Sequence, residues 1–305
     1  MPEVSVIIVC MGDPRRHLYG CLDSILAHTA LECEFLVTAY RMPAELREEL
    51  AGRYPFVKIT VNDAVAGFSE NNNLSLEKAT GEYCFIVNDD TLIEADVIGA
   101  LVKDMEKLGP GVAAVQPKIV FPDGRVQTCG RDPWTPWRYV RHYLHCVDEA
   151  RPGPFSMKEG LFRSYTLNGA CFLARREAFC KAGWFDPRYF FTPEDIALGH
   201  RFNELGYEVW ADADVSITHT AGGSSSAMEP AIKPARVAGA LLFYGHRIPL
   251  GCFIWCFEAL RCLRHIFHRD STEYKTARNV MRTVFSGKTP KEVFISCGGV
   301  PEARK

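Results

Sequence analysis

Asp89 and Asp90 are neighbouring carboxylates that come just after an unbroken apolar run, residues 83–87. Such a run is typical of a strand buried on both faces of a parallel sheet. Ligands of open α/β sheets bind beyond the carboxyl ends of the strands. Two adjacent carboxylates there repel each other unless a cation or hydrogen-bond donors neutralise them, and hard oxygen ligands suit Mg²⁺ or Mn²⁺. The pair therefore predicts either a metal site that reaches phosphate oxygens or a solvated acidic turn before a helix near Glu94.

A second acidic pair, Glu194 and Asp195, opens a predicted helix over residues 196–205. The helix dipole favours negative charge in the first turn, so capping explains one of these acids. It does not explain why the apolar residues Phe190 and Phe191 bring both acids to one place. A positioned carboxylate that removes a proton from an acceptor hydroxyl is the functional alternative.

Three other segments carry candidate binding groups. Residues 67–73 combine a glycine, which permits close backbone approach, with three asparagine amides, and they form either a nucleotide-contacting loop or an asparagine-rich loop before a helix. His219 ends a predicted strand, residues 215–219, before a Gly/Ser turn at 220–225, and is a metal ligand, a phosphate donor or a structural histidine. Residues 134–143 place aromatic rings among cations, which indicates either a sugar or phosphate surface or a loop packed over a cleft.

The elements that position these groups alternate along the chain. Strands separated by helices of this length predict a parallel, doubly wound α/β sheet. The predicted strands cover residues 4–10, 34–38, 57–61, 83–87 and 112–115, and the predicted helices cover residues 18–27, 43–52, 74–79 and 95–108.

Composition excludes several classes of protein. The chain has 305 residues, 47% of them hydrophobic and 24% charged, which is typical of a globular protein. Its formal net charge of −2 provides no global field for nucleic acid, so no nucleic-acid partner is expected. The N-terminal segment has no basic leader, and the twelve cysteines contain no CxxC pair, so we expect reduced thiols and a cytoplasmic protein.

The C-terminal part, residues 227–305, differs in character from residues 1–226. Residues 248–267 are strongly apolar, but Glu258, Arg261, Arg264 and His265 interrupt them, which makes the run too polar for a membrane span. Three interpretations stay open for this predicted helix: an interfacial membrane contact, core packing, or a homodimer contact.

Seven motifs in this order resemble the family 2 inverting glycosyltransferases of the GT-A fold, in particular the rhamnosyltransferase-like branch. The resemblance covers residues 4 to about 226 and is carried by "SVIIVC…LDSILAHT", "GFSENNN", "GEYCFIVNDDT", "LNGACFLARREAF", "GWFDPRYFFTPED", "RFNELGYEVW" and "THTAGGSS". It implies a GT-A fold with a C-terminal helical appendage, a nucleoside-diphosphate-sugar donor, and Mg²⁺ or Mn²⁺.

The resemblance also implies roles for individual residues. Asp90 falls on the metal ligand, Asp195 on the general base with Glu194 as its rival, and His219 near the diphosphate and the metal. Asp89 falls nearest the donor ribose, and the remaining donor-binding positions are Gly67, Phe68, Asn72, Asn73, Asn168 and Gly169.

The sequence therefore predicts a metal-dependent inverting glycosyltransferase of surface polysaccharide synthesis with a glycan or lipid-linked acceptor. We expect it in the cytoplasm, with peripheral contact to the inner face of the cytoplasmic membrane as an option. Two alternatives stay open: a non-catalytic nucleotide-sugar-binding scaffold, because Ala197 and Thr38-Ala39-Tyr40 replace acidic positions of the family, and a sugar nucleotidyltransferase.

Overall fold

The computed structural model describes residues 3–144, 158–220 and 228–299. Within these ranges the chain alternates strands and helices before it ends in four helices. The strands are β1 (Val4–Met11), β2 (Cys33–Tyr40), β3 (Val57–Asn62), β4 (Tyr83–Val87), β5 (Thr91–Leu92), β6 (Val112–Val120), β7 (Val126–Thr128), β8 (Leu161–Ser164), β9 (Cys171–Arg175) and β10 (Glu208–His219). The helices are α1 (Leu18–His28), α2 (Ala44–Arg53), α3 (Phe68–Leu76), α4 (Val97–Leu108), α5 (Pro136–Tyr143), α6 (Arg176–Ala182), α7 (Glu194–Glu204), α8 (Glu229–Phe243), α9 (Ile248–Arg264), α10 (Thr272–Thr283) and α11 (Pro290–Ser296).

One mixed sheet with the order β3-β2-β1-β4-β9-β6-β10-β5 forms the centre of the molecule. Strands β1, β2, β3, β4, β6 and β10 run in one direction, which confirms the predicted α/β fold with a mostly parallel sheet. Strand β9 lies between β4 and β6 and is antiparallel to both. The direction of β9 follows from the route by which the chain returns to the sheet, and the apolar pattern of a strand does not encode it.

Helices cover both faces of the sheet, and β4 shows how the sequence divides between them. Tyr83, Phe85 and Val87 point into the core beneath α1 and α4, whereas Cys84 and Ile86 point into the core beneath α3, α6 and α7. All five are buried, because successive side chains of a strand alternate between two covered faces. This burial fixes where β4 stops and therefore where the two carboxylates begin.

Three predicted boundaries are corrected. Helix α3 begins at Phe68 rather than at residue 74, so the segment predicted as a loop is helical. Its first turn is capped by Glu70, whose Oε2 accepts a hydrogen bond from the backbone N–H of Gly67 at 3.0 Å. Helix α4 begins at Val97, after Asp96 as N-cap, and the predicted strand at 215–219 is the end of the longer β10.

Helices α8 to α11 are packed onto the sheet domain. Ala235 and Phe294 enclose Phe190 in one apolar cluster, and α8 and α9 contact α5 through Tyr139 and Tyr143 in another. Gly239 of α8 lies against the carbonyl oxygen of Thr192, which a Cβ atom at that position would approach to 2.6 Å. The predicted boundary at 226/227 and the predicted Gly/Ser turn beyond residue 220 lie outside the described residues. No helix in the described ranges is long and apolar enough to span a bilayer.

Candidate active site

A cleft of about 920 Å³ opens at the carboxyl ends of β1 and β4. Its walls are the segment after β4, the end of β10, the segment before β9, the start of α7, and helices α8, α9 and α10. Most of the residues singled out in the sequence line it: Phe68, Asp89, Asp90, Asn168, Gly169, Glu194, Asp195 and His219. This volume lies near the top of the usual range of about 300–1,000 Å³ for ligand clefts.

Asp90 and His219 form the first polar centre of the cleft. The short strand β5 pairs with the end of β10, with Thr91 opposite His219, and this pairing brings Asp90 Oδ1 to 3.1 Å from His219 Nε2. The other ring nitrogen, Nδ1, lies 2.9 Å from Gln127 Oε1. Because that oxygen accepts a hydrogen bond from Nδ1–H, Nε2 can donate to the Asp90 carboxylate only in the imidazolium form. Without that proton two electron-rich atoms face each other there, which is favourable only with a cation between them.

The charge state of Asp90 fits a cation site. Burial is the largest influence and raises the pKa of Asp90, but the hydrogen bond and the charge of His219 outweigh it, so the pKa lies below its usual value. Asp90 is therefore ionised at neutral pH. Across the described ranges, no group of three or more His, Cys, Asp and Glu side chains could hold a metal. Mg²⁺ commonly binds through one or two protein ligands, with water and substrate phosphates completing its shell, and this donor set fits that pattern.

Glu194 and Asp195 form the second polar centre, at the start of α7. Asp195 Oδ2 accepts hydrogen bonds from the backbone N–H of Gly169 at 3.0 Å and from Arg131 Nη1 at 3.4 Å. Its Oδ1 lies 2.7 Å from the backbone nitrogen of Ile196. Glu194 Oε2, by contrast, has no hydrogen-bond partner among the described residues. Burial first, and the charge of Asp195 second, raise the pKa of Glu194 to about 8.

Comparison with known proteins identifies the family. The model of the "Glycosyltransferase like family 2" matches residues 2–233. The chain belongs to this family. It is a glycosyltransferase, as the motifs predicted.

Two curated relatives are similar over 231 residues each. An O-antigen biosynthesis protein, RfbC of Myxococcus xanthus, is 27% identical, and the match covers 74% of this chain and 18% of the relative. An N-acetylglucosaminyl-diphospho-decaprenol L-rhamnosyltransferase of Mycobacterium tuberculosis is 26% identical, and the match covers 68% of this chain and 73% of the relative. The chain thus corresponds to less than a fifth of the first relative and to most of the second.

Solved structures confirm the GT-A fold. A mannosyltransferase from Pyrobaculum calidifontis in complex with GDP-Man and Mn²⁺ superposes with a TM-score of 0.56 at 16% identity, and the match covers 97% of this chain and 79% of the other. GalNAc-T7 with UDP, GalNAc and Mn²⁺ superposes with a TM-score of 0.55 at 17% identity, covering 75% of this chain and 46% of the other. Identities this low establish the shared fold alone.

Three of the residues expected to bind the donor lie away from the lining of the glycosyltransferase cleft. Asn73 Nδ2 donates to the carbonyl oxygen of Phe185 at 2.8 Å and its Oδ1 accepts from the same residue's backbone N–H at 3.1 Å. Asn72 Nδ2 donates to the carbonyl oxygen of Phe68, one turn earlier in α3, at 2.9 Å. A Cβ atom on Gly67 would lie 2.0 Å from the carbonyl oxygen of Phe190. These contacts favour the structural interpretation of the segment, because they fix α3 to the chain that leads into the second acidic pair.

The aromatic stretch at 134–143 packs over the cleft, whereas its role as a sugar or phosphate surface stays a prediction. Trp134, Tyr139, His142 and Tyr143 line the cleft, and Tyr139 and Tyr143 also belong to the apolar cluster with α8 and α9. Trp137 is exposed to solvent. Helix α5 thus packs against α8 and α9, and several of its rings line the cleft.

Arg131 is a functional candidate that the sequence did not reveal. Its Nη1 contacts both the carbonyl oxygen of Leu167 at 3.3 Å and Asp195. A single arginine in an irregular segment has no periodicity, and the two members of this pair are 64 residues apart. Only its nearness to the cation-rich stretch beginning at Trp134 hinted at a role.

The raised pKa of Glu194 predicts a pH dependence of stability. Its pKa lies near 8 in the folded protein against an ordinary 4.5, so the folded state binds the proton more tightly. The stability gained from this proton is fully present below about pH 4.5 and is lost as the pH rises toward 8. Urea unfolding at pH 5, 6.5 and 8 should show a smaller decline of the free energy of unfolding in Glu194→Gln than in the wild type. The exposed Glu177→Gln serves as the control, and equal pH slopes in wild type and Glu194→Gln would contradict the assignment.

Proposed function

We propose that this glycosyltransferase moves a sugar from a nucleoside-diphosphate donor to an acceptor hydroxyl with inversion at the sugar carbon. The observation that carries the proposal is that one cleft holds two separate polar centres, Asp90 with His219 and Asp195 with Arg131. The first suits a departing diphosphate and the second suits an attacking hydroxyl. A single displacement needs these two tasks on opposite sides of one sugar ring, and inversion is its stereochemical result.

Asp90 and His219 are the residues that would hold a divalent cation. Mg²⁺ or Mn²⁺ supplies, when bound, charge neutralisation for the phosphate oxygens of the leaving group. Two solved structures of the same fold contain Mn²⁺ together with a nucleotide or a nucleotide sugar. Asp89 lines the cleft beside Asp90 and is assigned to the donor ribose. Asn168 and Gly169 also line the cleft, and the Gly169 N–H donates to Asp195.

Asp195 acts as the general base. Its carboxylate is fixed by the Gly169 backbone and by Arg131, so it keeps one orientation toward the cleft as the acceptor arrives. Burial and the charge of Asp195 raise the pKa of Glu194, which favours its protonated form, and a protonated carboxyl cannot take the proton of the acceptor hydroxyl. The arrangement differs from that of glycosidases, in which two carboxylates flank the sugar as acid and base or nucleophile.

A thermal-shift screen tests the proposed donor class. Nucleoside-diphosphate sugars are added one at a time with Mn²⁺, with Mg²⁺ or with chelator, because a ligand that binds the folded state raises the apparent melting temperature by mass action. At least one donor should raise it only in the presence of metal, and the same donor should be consumed when an acceptor is supplied. Metal-dependent binding without transfer to any acceptor would favour the scaffold alternative, and absence of binding by every donor would overturn the proposal.

A lipid-linked acceptor is supported by the outer face of α9. The name of the mycobacterial relative specifies a diphospho-decaprenol acceptor. In this chain Ile248, Leu260, Leu263 and Phe267 are each more than 60% exposed along α9 and just beyond it. Arginine and histidine side chains accompany them, as in helices that lie at an anionic membrane surface. We infer peripheral contact with the inner face of the cytoplasmic membrane.

Vesicle binding tests this contact. The double variant Leu260→Ser with Leu263→Ser should co-sediment with anionic vesicles at low salt less than the wild type, because it removes exposed apolar area without disturbing the buried face of the helix. Val61→Ser, at an exposed position on β3, is the matched control. A wild type that stays in the supernatant would contradict membrane contact. If sedimentation velocity shows instead that the double variant loses a dimer, this face is a homodimer contact.

A further inference from the structure

The C-terminal wall of the cleft carries three cations that the roles above do not use. Lys233 and Arg236 lie on α8 and Arg261 lies on α9, and all three line the cleft. The carboxylates Glu229 and Glu273 line the same wall, with Glu273 exposed to solvent.

Two of these cations are held in place by one buried acid. Glu258 is fully buried in α9, and its Oε1 lies 2.9 Å from Lys233 Nζ and 2.5 Å from the hydroxyl of Tyr143. Arg261 Nη1 contacts the same carboxylate at 3.1 Å. A buried ion pair contributes little net stability, because desolvation of the charges offsets their attraction. The clearer effect of these ion pairs is on position, because they hold Lys233 Nζ and the Arg261 guanidinium at the cleft. Two positive charges there share the one negative charge of Glu258.

Arg236 is the third cation, and it forms no ion pair within the part of the chain that the structure describes. No carboxylate among the described residues lies within ion-pair distance of it, and its buried Nε has no hydrogen-bond partner there. It is close enough to Glu194 for its charge to favour ionisation of that acid. Gly239 lets α8 approach the Thr192 carbonyl closely, which keeps Arg236 beside the start of α7. A partly buried guanidinium without an anion is costly, so an incoming anion is its natural partner.

We propose that Lys233, Arg236 and Arg261 form a subsite for a phosphate or diphosphate group of the acceptor. The proposal rests on the proposed function, because it assumes that the acceptor occupies the side of the cleft where Asp195 lies. The donor diphosphate is assigned to Asp90 and His219 on the sheet side, whereas these cations lie on α8 and α9, with Arg236 near Glu194. Guanidinium and ammonium groups in a desolvated wall are well suited to phosphate oxygens. Glu258 is a positioning residue in this subsite.

The phosphate could come from a lipid-linked diphosphate or from a phosphate-bearing soluble glycan. Both present the same oxygens to the three cations. Arg261 and the exposed Leu260 are consecutive residues of α9, so one helix faces the cleft with its polar side and solvent with its apolar side. The experiment separates the two sources by comparing inorganic pyrophosphate with geranyl diphosphate.

Calorimetric titration in the presence of chelator tests the subsite, because chelator removes any metal-dependent binding at the donor site. The wild type should bind inorganic pyrophosphate, and Arg236→Gln and Lys233→Gln should each bind it about tenfold more weakly, as expected for the loss of one charge-assisted hydrogen bond. Arg264→Gln, an exposed cation on the same helix as Arg261, should bind it like the wild type. Tighter binding of geranyl diphosphate than of pyrophosphate identifies a lipid source, and equal binding identifies the glycan source.

Two results would overturn the subsite: no pyrophosphate binding by the wild type, or equal binding by wild type, Arg236→Gln and Lys233→Gln. Thermal unfolding verifies that each variant is folded. Donor binding with metal, measured on the same samples, keeps the two proposals separate. Intact donor binding without pyrophosphate binding rejects the subsite alone, and pyrophosphate binding without any donor binding rejects the proposed function.

Discussion

Asp195→Asn is expected to lower the rate of sugar transfer by about 10²–10⁴-fold, the usual contribution of a general base, with donor affinity almost unchanged. An acceptor hydroxyl is a weak nucleophile at neutral pH and needs a group that takes its proton as the bond to the sugar forms. Asparagine keeps the oxygen that accepts from Gly169 and Arg131, so the start of α7 should retain its structure. The measurement is single-turnover transfer at saturating donor.

Glu194→Gln is the matched control for this prediction. Because the pKa of Glu194 is near 8, the acid is mostly neutral at pH 7, and glutamine mimics its neutral form. Turnover at pH 7 should therefore fall far less than in Asp195→Asn. Near-normal turnover in Asp195→Asn with a collapse in Glu194→Gln would assign the base to Glu194 instead.

Asp90→Asn is expected to weaken metal-dependent donor binding by about 10–100-fold or more, since even residues that only support a metal ligand have effects of that size. Asparagine cannot supply the negative charge that faces His219 Nε2, although it preserves the shape of the turn after β4. Calorimetric donor titrations with Mn²⁺ and with chelator measure the effect. Chelator should weaken donor binding by the wild type to the level of the variant. It should change donor binding by the variant little.

The control for Asp90→Asn is Asp123→Asn, which removes an exposed carboxylate from the turn before β7 and should leave donor affinity unchanged. Equal donor affinity in Asp90→Asn and the wild type, or a wild type that binds the donor equally well with chelator, would contradict the assignment of the cation to Asp90.

The α/β fold and the positions of both acidic pairs at the ends of elements could be predicted from the sequence alone. The apolar run of β4 had to be buried on two faces, so its end had to lie at the carboxyl edge of the sheet, with Asp89 and Asp90 next in the chain. Glu194 and Asp195 were likewise fixed by the helix that they begin. These inferences succeeded because alternation and helix starts depend on residues close together in the sequence.

The tertiary structure decided which polar residues reach the cleft. Asn72 and Asn73 have the composition of a binding loop, but their amides are used within α3 and against Phe185. Arg131 contacts Asp195 and Arg236 acts on Glu194, but both arginines are far from these acids in the sequence. On α9, the pattern showed that apolar and charged residues alternate with helical spacing, but not that Glu258 and Arg261 point inward while Leu260 and Leu263 point outward. Helical spacing specifies which residues share a face, whereas long-range packing decides what each face contacts.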